Sequence, residues 1–275
     1  IVLRDVKRAI NDFITEDSTN ENNVLFRKLL LKKLQQEPNI LWNELLSWLF
    51  IQQKNFKKAF TQEKAIYKRQ PESLSRIEEI ALMASNDNKN EIARDVFNYI
   101  IDTAQDAETK LDAHQNLLQI DIKESSKSNY GVIKSKYLEL FKTFGDQSET
   151  LELQVSYGHF LAFYLNETGE ATRFLENSLK QPLASIEKAQ VKLELGDILV
   201  LQEQFNKALI YYTQIQRNLK NSTISQEARF KVAKASYYKG DFKWAESQLK
   251  ILKASTSQLI ANDALDLKLL ISDNK

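Results

Sequence analysis

The sequence predicts an all-α fold, a right-handed α-solenoid built from stacked antiparallel helix hairpins. Two observations support this prediction. The 275-residue chain contains only 6 glycines and 3 prolines, too few for the frequent turns of a β-rich fold. The chain also repeats itself, because residues 192–215 align with residues 229–252 at a constant offset of 37 residues. A repeat of about this length indicates helix–turn–helix units that stack on one another.

The aligned columns explain how the helices of each unit pack. Two further copies, at residues 43–66 and 77–100, carry the same columns. A polar stretch interrupts each copy, as in Lys239-Gly240-Asp241, where Gly or Asn can adopt the left-handed conformation that ends a helix. Small residues fill the columns where paired helices cross closely, and these residues are Gly196, Ala233, Ala208, Ala245, Ala59 and Ala93.

These columns resemble the tetratricopeptide repeat (TPR) family, with a small residue at position eight, an aromatic residue at seventeen and alanine at twenty. The sequence is similar to TPR proteins of Bacteroidetes bacteria. By this comparison residues 154–179 keep Gly158 and Ala171 but are one residue short. The resemblance implies a single domain over residues 1–275, with about six hairpins followed by a final helix. With the N-terminal helix pair counted as well, the expected hairpin ranges are seven: 3–38, 40–71, 75–104, 108–144, 151–181, 186–220 and 225–254. The terminal helix is expected at 257–272.

Composition excludes several classes of function. Lys and Arg number 38 and Asp and Glu number 37, so no strong net charge attracts nucleic acid or an anionic membrane. No stretch approaches the roughly 18 apolar residues of a membrane span. The chain has no cysteine, which excludes disulfides and thiolate zinc sites. Because it begins at Ile1 without Met, we expect a processed piece, and its compartment is either the bacterial envelope or periplasm, if a leader was removed, or the cytoplasm.

The sequence shows no catalytic arrangement. Its two histidines, His114 and His159, lie in different predicted repeats, whereas a metal site needs three or four converging ligands. No G-x-S-x-G motif presents a nucleophile, and the glycines are too dispersed for a loop that binds phosphate. We therefore predict no catalytic residue, metal or cofactor. An enzyme that uses carboxylates in the groove is the least favoured class.

The concave groove is the expected binding surface. The TPR resemblance implies that positions two, five, nine and twelve of each first helix point into it. The Lys and Asn residues with which some TPR domains bind acidic chaperone tails are absent, so we do not expect that activity. The alternative is that the groove residues only pack between repeats. The candidate partner-binding residues are Trp48, Ile51, Leu193, Asp197, Val200, Phe230, Lys234 and Tyr237.

The predicted function is a non-catalytic scaffold that binds a peptide, a helix or a partner domain in this groove. The alternative is an accessory domain that positions another part of a longer, exported protein. The terminal helix predicts a second surface, at Leu267, Leu270 and Ile271, which no later helix of the sequence covers. That surface can dock a further element or a second copy of the chain. We expect neither nucleic-acid binding nor membrane insertion.

Overall fold

A computed structural model describes residues 2–252 and 258–273. The described residues form helices connected by short turns, with no β-strand among them, and the predicted all-α class is confirmed. Short 3₁₀ turns precede α8 and α9. The helices are Val2–Ile10 (α1), Glu21–Gln36 (α2), Ile40–Gln52 (α3), Phe56–Arg69 (α4), Ser75–Asn86 (α5), Asn90–Thr103 (α6), Ala107–Glu124 (α7), Tyr130–Phe144 (α8), Leu151–His159 (α9), Thr168–Ser178 (α10), Ser185–Leu201 (α11), Phe205–Asn218 (α12), Thr223–Tyr238 (α13), Phe242–Leu252 (α14) and Gln258–Asp273 (α15).

The chain divides into two compact units, residues 1–125 and residues 126–275. The predicted hairpin at 108–144 contains this division, because α7 belongs to the first unit and α8 to the second. The single domain and the hairpin ranges therefore stay predictions.

In the first unit, helices that follow one another pack in pairs, α3 with α4 and α5 with α6. The repeat columns form its core, and Ala59, Ala93 and Phe97 are completely buried. An ion pair joins successive pairs, since Arg76 on α5 lies 2.8 Å from Glu63 on α4, whose side chain is only 4% exposed. A buried carboxylate needs such a partner, so this contact fixes how one pair stacks on the next.

In the second unit, α11 pairs with α12 and α13 with α14, while α12 packs on α13. Gly196 shows why a small residue occupies position eight. A Cβ atom added there would lie 2.2 Å from Cε1 of Tyr212, which faces it from α12. The helices cross so closely that the tyrosine ring fills the space a side chain would need.

A left-handed residue follows the first helix of five hairpins, including Asn166 in the hairpin of α9 and α10. The sequence predicts this conformation for Asn or Gly, and Asn88 and Gly240 adopt it, with φ angles of 57° and 84°. Lys54 and Glu203 adopt it as well. In each turn two backbone N–H groups bond back to the helix, as Gly240 does to Tyr237 and Asp241 to Ser236 at 2.9 Å each. This hydrogen bonding requires the left-handed residue whatever its side chain.

A π-helical turn at Phe160–Tyr164 follows α9. The spacing from Gly158 to Ala171 is 13 residues, against 12 from Gly196 to Ala208. The repeat is therefore one residue longer than its neighbour, and the expectation that it is one residue short was wrong. The π turn accommodates the additional residue between α9 and α10.

Candidate functional site

A cleft of about 330 Å³ opens on the first helices of the second unit. Three of the predicted groove residues, Asp197, Val200 and Lys234, line it. Between them stand three apolar side chains that sequence reasoning did not select, Phe163, Leu201 and Tyr238, which are 42%, 46% and 52% exposed. We call this surface the position-thirteen cleft, because these three residues occupy position thirteen of successive repeats.

The floor of the position-thirteen cleft is a fixed polar cluster. The carboxylate of Asp197 accepts hydrogen bonds from the Tyr212 hydroxyl at 2.7 Å and from the Lys231 ammonium at 2.5 Å. Burial, together with the negative charge of Asp197, raises the pKa of Tyr212 far above its usual range, so the hydroxyl stays a donor. Because Asp197 and Lys231 neutralise each other, the floor is polar but carries little net charge.

Lys234 gives this cleft a positive charge that no neighbouring carboxylate balances among the described residues. Its side chain is exposed, and among the residues that the structure describes it forms no ion pair. An ammonium beside three apolar side chains favours a ligand that combines apolar groups with a carboxylate.

His159 forms one wall. Its Nδ1 atom lies 2.9 Å from Oε1 of Glu194, and its ring stacks on Phe163 with centroids 4.5 Å apart. The hydrogen bond to Glu194 raises the pKa of His159 above its ordinary value. The imidazole is therefore held in place by both contacts, and it stiffens the aromatic wall of the cleft.

The other predicted groove residues of the second unit pack mainly against the core. Leu193 lies half-buried against the apolar cluster that includes Tyr212 and Val232. Phe230 and Tyr237 lie half-buried against the cluster that includes Leu249 and Ile271. Their side chains stabilise the stack, and the cleft wall is formed by their neighbours instead.

Trp48 and Ile51 lie on α3 of the first unit. Ile51 packs against that unit's core, and Trp48 is partly exposed. The clefts of this unit that border α3 are lined at its other end, by Ile40 and Glu44. Neither Trp48 nor Ile51 is brought together with the other candidates in a described cleft.

The C-terminal surface differs from the expected one. Leu267 is 7% exposed and Ile271 is fully buried, because both pack with Leu249 against the preceding helix pair. Leu270 is 51% exposed. The large apolar side chains that α15 exposes among its described residues are Leu265, Leu269 and Leu270. Only Leu270 of these three leucines was among the predicted residues of the C-terminal surface.

Across residues 2–252 and 258–273, no cluster of three or more His, Cys, Asp or Glu side chains is arranged to hold a metal ion. Burial lowers the pKa of His114, with a smaller contribution from Lys110. In the same part of the chain, every helix is too short or too polar to cross a membrane.

Comparison of the sequence with protein-family models and with curated protein sequences gave no match. Solved structures with a similar fold do exist. A tetratricopeptide repeat protein from Parabacteroides merdae is 11% identical, with 97% of this chain and 98% of that one covered and a TM-score of 0.54. The C-terminal part of a TPR repeat-containing protein from Cytophaga hutchinsonii is 12% identical, with 86% and 92% covered and a TM-score of 0.50. The APC/C hetero-tetramer Cut9–Hcn1 contains a chain that is 13% identical, with 89% of this chain and 45% of that one covered and a TM-score of 0.52. These similarities show the fold.

Proposed function

We propose that this chain, whose fold is TPR-like, is a non-catalytic scaffold that binds a segment of a partner protein in the position-thirteen cleft. The observation that supports this proposal most is the alignment of Phe163, Leu201 and Tyr238 along one cleft, each about half exposed. Side chains at a core position would be buried, whereas these present apolar surface to solvent in a concave site.

The chemistry of the cleft defines the segment that it suits. Three apolar side chains offer contacts to apolar residues of a peptide or helix. Lys234 offers an ammonium to a carboxylate beside them, and the Asp197–Lys231 pair offers hydrogen bonds at the floor. We therefore expect a short amphipathic segment in which large apolar residues alternate with at least one acidic residue.

Rigidity is the second argument for a binding surface. Asp197 is fixed by two hydrogen bonds, and His159 is fixed by Glu194 and Phe163. A site whose side chains are already ordered loses less conformational entropy when a ligand binds. The helix pairs hold this surface in one geometry, as expected for a repeat scaffold.

The test is selection of random dodecapeptides, displayed on phage, against the purified chain. We expect the selected peptides to carry apolar residues with Asp or Glu, and to lose at least tenfold in affinity, about 1.4 kcal/mol, for a Val200→Lys, Tyr238→Lys variant. The control is Val132→Lys, which introduces a lysine at a side chain on α8 that is 60% exposed and lies outside the cleft. Selected peptides that bind the double variant as well as the parent would refute the proposal.

A further inference from the structure

A second cleft of the 126–275 unit, of about 450 Å³, lies between α10 and α12. The two helices form its walls, and its floor is formed by Leu199, near the end of α11, and Gln202, which directly follows α11. It shares no lining residue with the position-thirteen cleft. We call it the glutamine cleft, because Gln202, Gln204 and Gln214 all line it.

Two of these carboxamides are held in a fixed orientation. Gln204 donates through Nε2 to Oε1 of Gln202 at 2.8 Å, and Gln202 donates in turn to the Thr172 hydroxyl at 3.4 Å. A carboxamide offers a donor and an acceptor side by side. The same pair of groups recurs along a peptide backbone, so this ordered pair of glutamines is suited to bind main-chain N–H and C=O groups.

The charges of the glutamine cleft are unequal. Arg173 and Lys207 are exposed and, in the portion of the chain that the structure describes, neither forms an ion pair. The Nε atom of Arg173 donates to the Gly169 carbonyl of its own helix at 3.2 Å, and both residues line the cleft. Glu176 is the acidic residue of the lining, so the cleft has a net positive charge.

The repeat register shows where these charges lie. Ala171 on α10 corresponds to Ala208 on α12, and counting from these residues places Lys207 in the first turn of α12 and Arg173 at the middle of α10. Glu176 lies one turn further along α10. Both cations therefore precede the acidic residue along the cleft, which favours a carboxylate on the ligand beside them.

The length of the cleft limits what fits. Its lining runs from residue 169 to 176 on α10 and from 207 to 214 on α12. Seven helical steps correspond to about 10 Å, and about three residues of extended chain span that distance. Ile210, which is 56% exposed on one wall, supplies an apolar contact for one of them.

We propose that the glutamine cleft binds an extended peptide segment of about three residues that carries an Asp or Glu side chain and an aliphatic side chain. The carboxylate of the segment meets Arg173 and Lys207, its aliphatic side chain packs on Ile210, and its backbone bonds to the glutamine carboxamides. This site differs from the position-thirteen cleft in place and in ligand conformation.

The test uses the chain with Val200→Lys and Tyr238→Lys already introduced, so that the position-thirteen cleft is blocked. Random hexapeptides are selected against it on phage. We expect the enriched peptides to contain an acidic residue beside an aliphatic one. Their binding should fall at least tenfold in an Arg173→Glu, Lys207→Glu variant. A Lys142→Glu, Lys180→Glu variant changes the net charge equally outside the cleft, and it should keep its affinity.

A second measurement locates the bound peptide. In ¹⁵N NMR spectra, the side-chain amide signals of Gln202 and Gln214 should shift when an enriched peptide is added. Absence of enriched peptides, equal loss in both charge variants, or unchanged glutamine signals would overturn the proposal. None of these results bears on the proposed function of the position-thirteen cleft, because that function is tested with the parent chain.

Discussion

Replacement of Gly196 by alanine tests the close helix crossing on which the second unit depends. The added Cβ would lie 2.2 Å from one ring carbon of Tyr212 and 2.6 Å from another. The ring has little room to withdraw, since Tyr212 is 1% exposed and its hydroxyl is bonded to Asp197. The helices must therefore separate, or the ring must leave its hydrogen bond.

The magnitude follows from two opposing effects. Overpacking a core costs about 1–3 kcal/mol, and a rigid aromatic neighbour places this site at the upper end. Alanine in place of glycine inside a helix returns about 1 kcal/mol. We expect Gly196→Ala to lower the free energy of unfolding by about 2 kcal/mol, measured by urea denaturation with circular dichroism.

Gly169→Ala is the matched control, because a Cβ atom at Gly169 meets nothing within 4 Å. This variant should leave the free energy of unfolding unchanged or raise it by up to about 1 kcal/mol. If Gly196→Ala proves as stable as Gly169→Ala, the close crossing of α11 and α12 is wrong.

Two further predictions concern the turns and pH. Gly240 and Glu203 are both left-handed, and only glycine adopts that conformation without strain. Gly240→Ala should therefore lower the unfolding free energy by about 1 kcal/mol, and Glu203→Gly should leave it unchanged or raise it slightly. Urea denaturation that gives the opposite order of stabilities contradicts the turn assignment. The hydrogen bond to Glu194 raises the pKa of His159 in the folded state. The pair therefore stabilises the folded state fully at a pH below the unfolded-state pKa of about 6.5. This stabilisation is lost as the pH rises through the higher folded-state pKa. Thermal unfolding from pH 5 to 9 should show this loss in the parent and not in Glu194→Gln, and equal profiles would disprove it.

The fold could be predicted from the sequence because its determinants repeat. A small residue at Gly196 and Ala208 is required by the helix crossing, and the same requirement recurs 37 residues later at Ala233 and Ala245. Such columns report local packing, which every repeat must satisfy in the same way. The all-α class could therefore be predicted from the sequence alone.

The residues of the position-thirteen cleft could be predicted from the sequence only in part. Tyr237 and Tyr238 are adjacent aromatic residues on α13, and successive residues on a helix point about 100° apart. That rotation places Tyr238 in the cleft and Tyr237 against Phe242 of the next helix, with ring centroids 5.6 Å apart. Sequence reasoning selected Tyr237. An apolar residue at position thirteen in three successive repeats was the available signal.

Contacts between repeats could not be predicted. The bond from Lys231 to Asp197 joins residues 34 apart, and it depends on the distance at which α11 and α13 stack. Lys54 and Glu203 in left-handed turns were also missed, because residue preferences favour Asn and Gly there. In both cases the geometry of the assembled unit overrides the local preference.

The most direct test of the central claim is affinity capture from the source cells with three baits. These are the parent chain, the Val200→Lys, Tyr238→Lys variant and the Val132→Lys control, each checked for unchanged helix content by circular dichroism. The proposed scaffold function predicts a protein that the parent and the control retain and the double variant loses. Identical proteins on all three baits would contradict binding at the position-thirteen cleft.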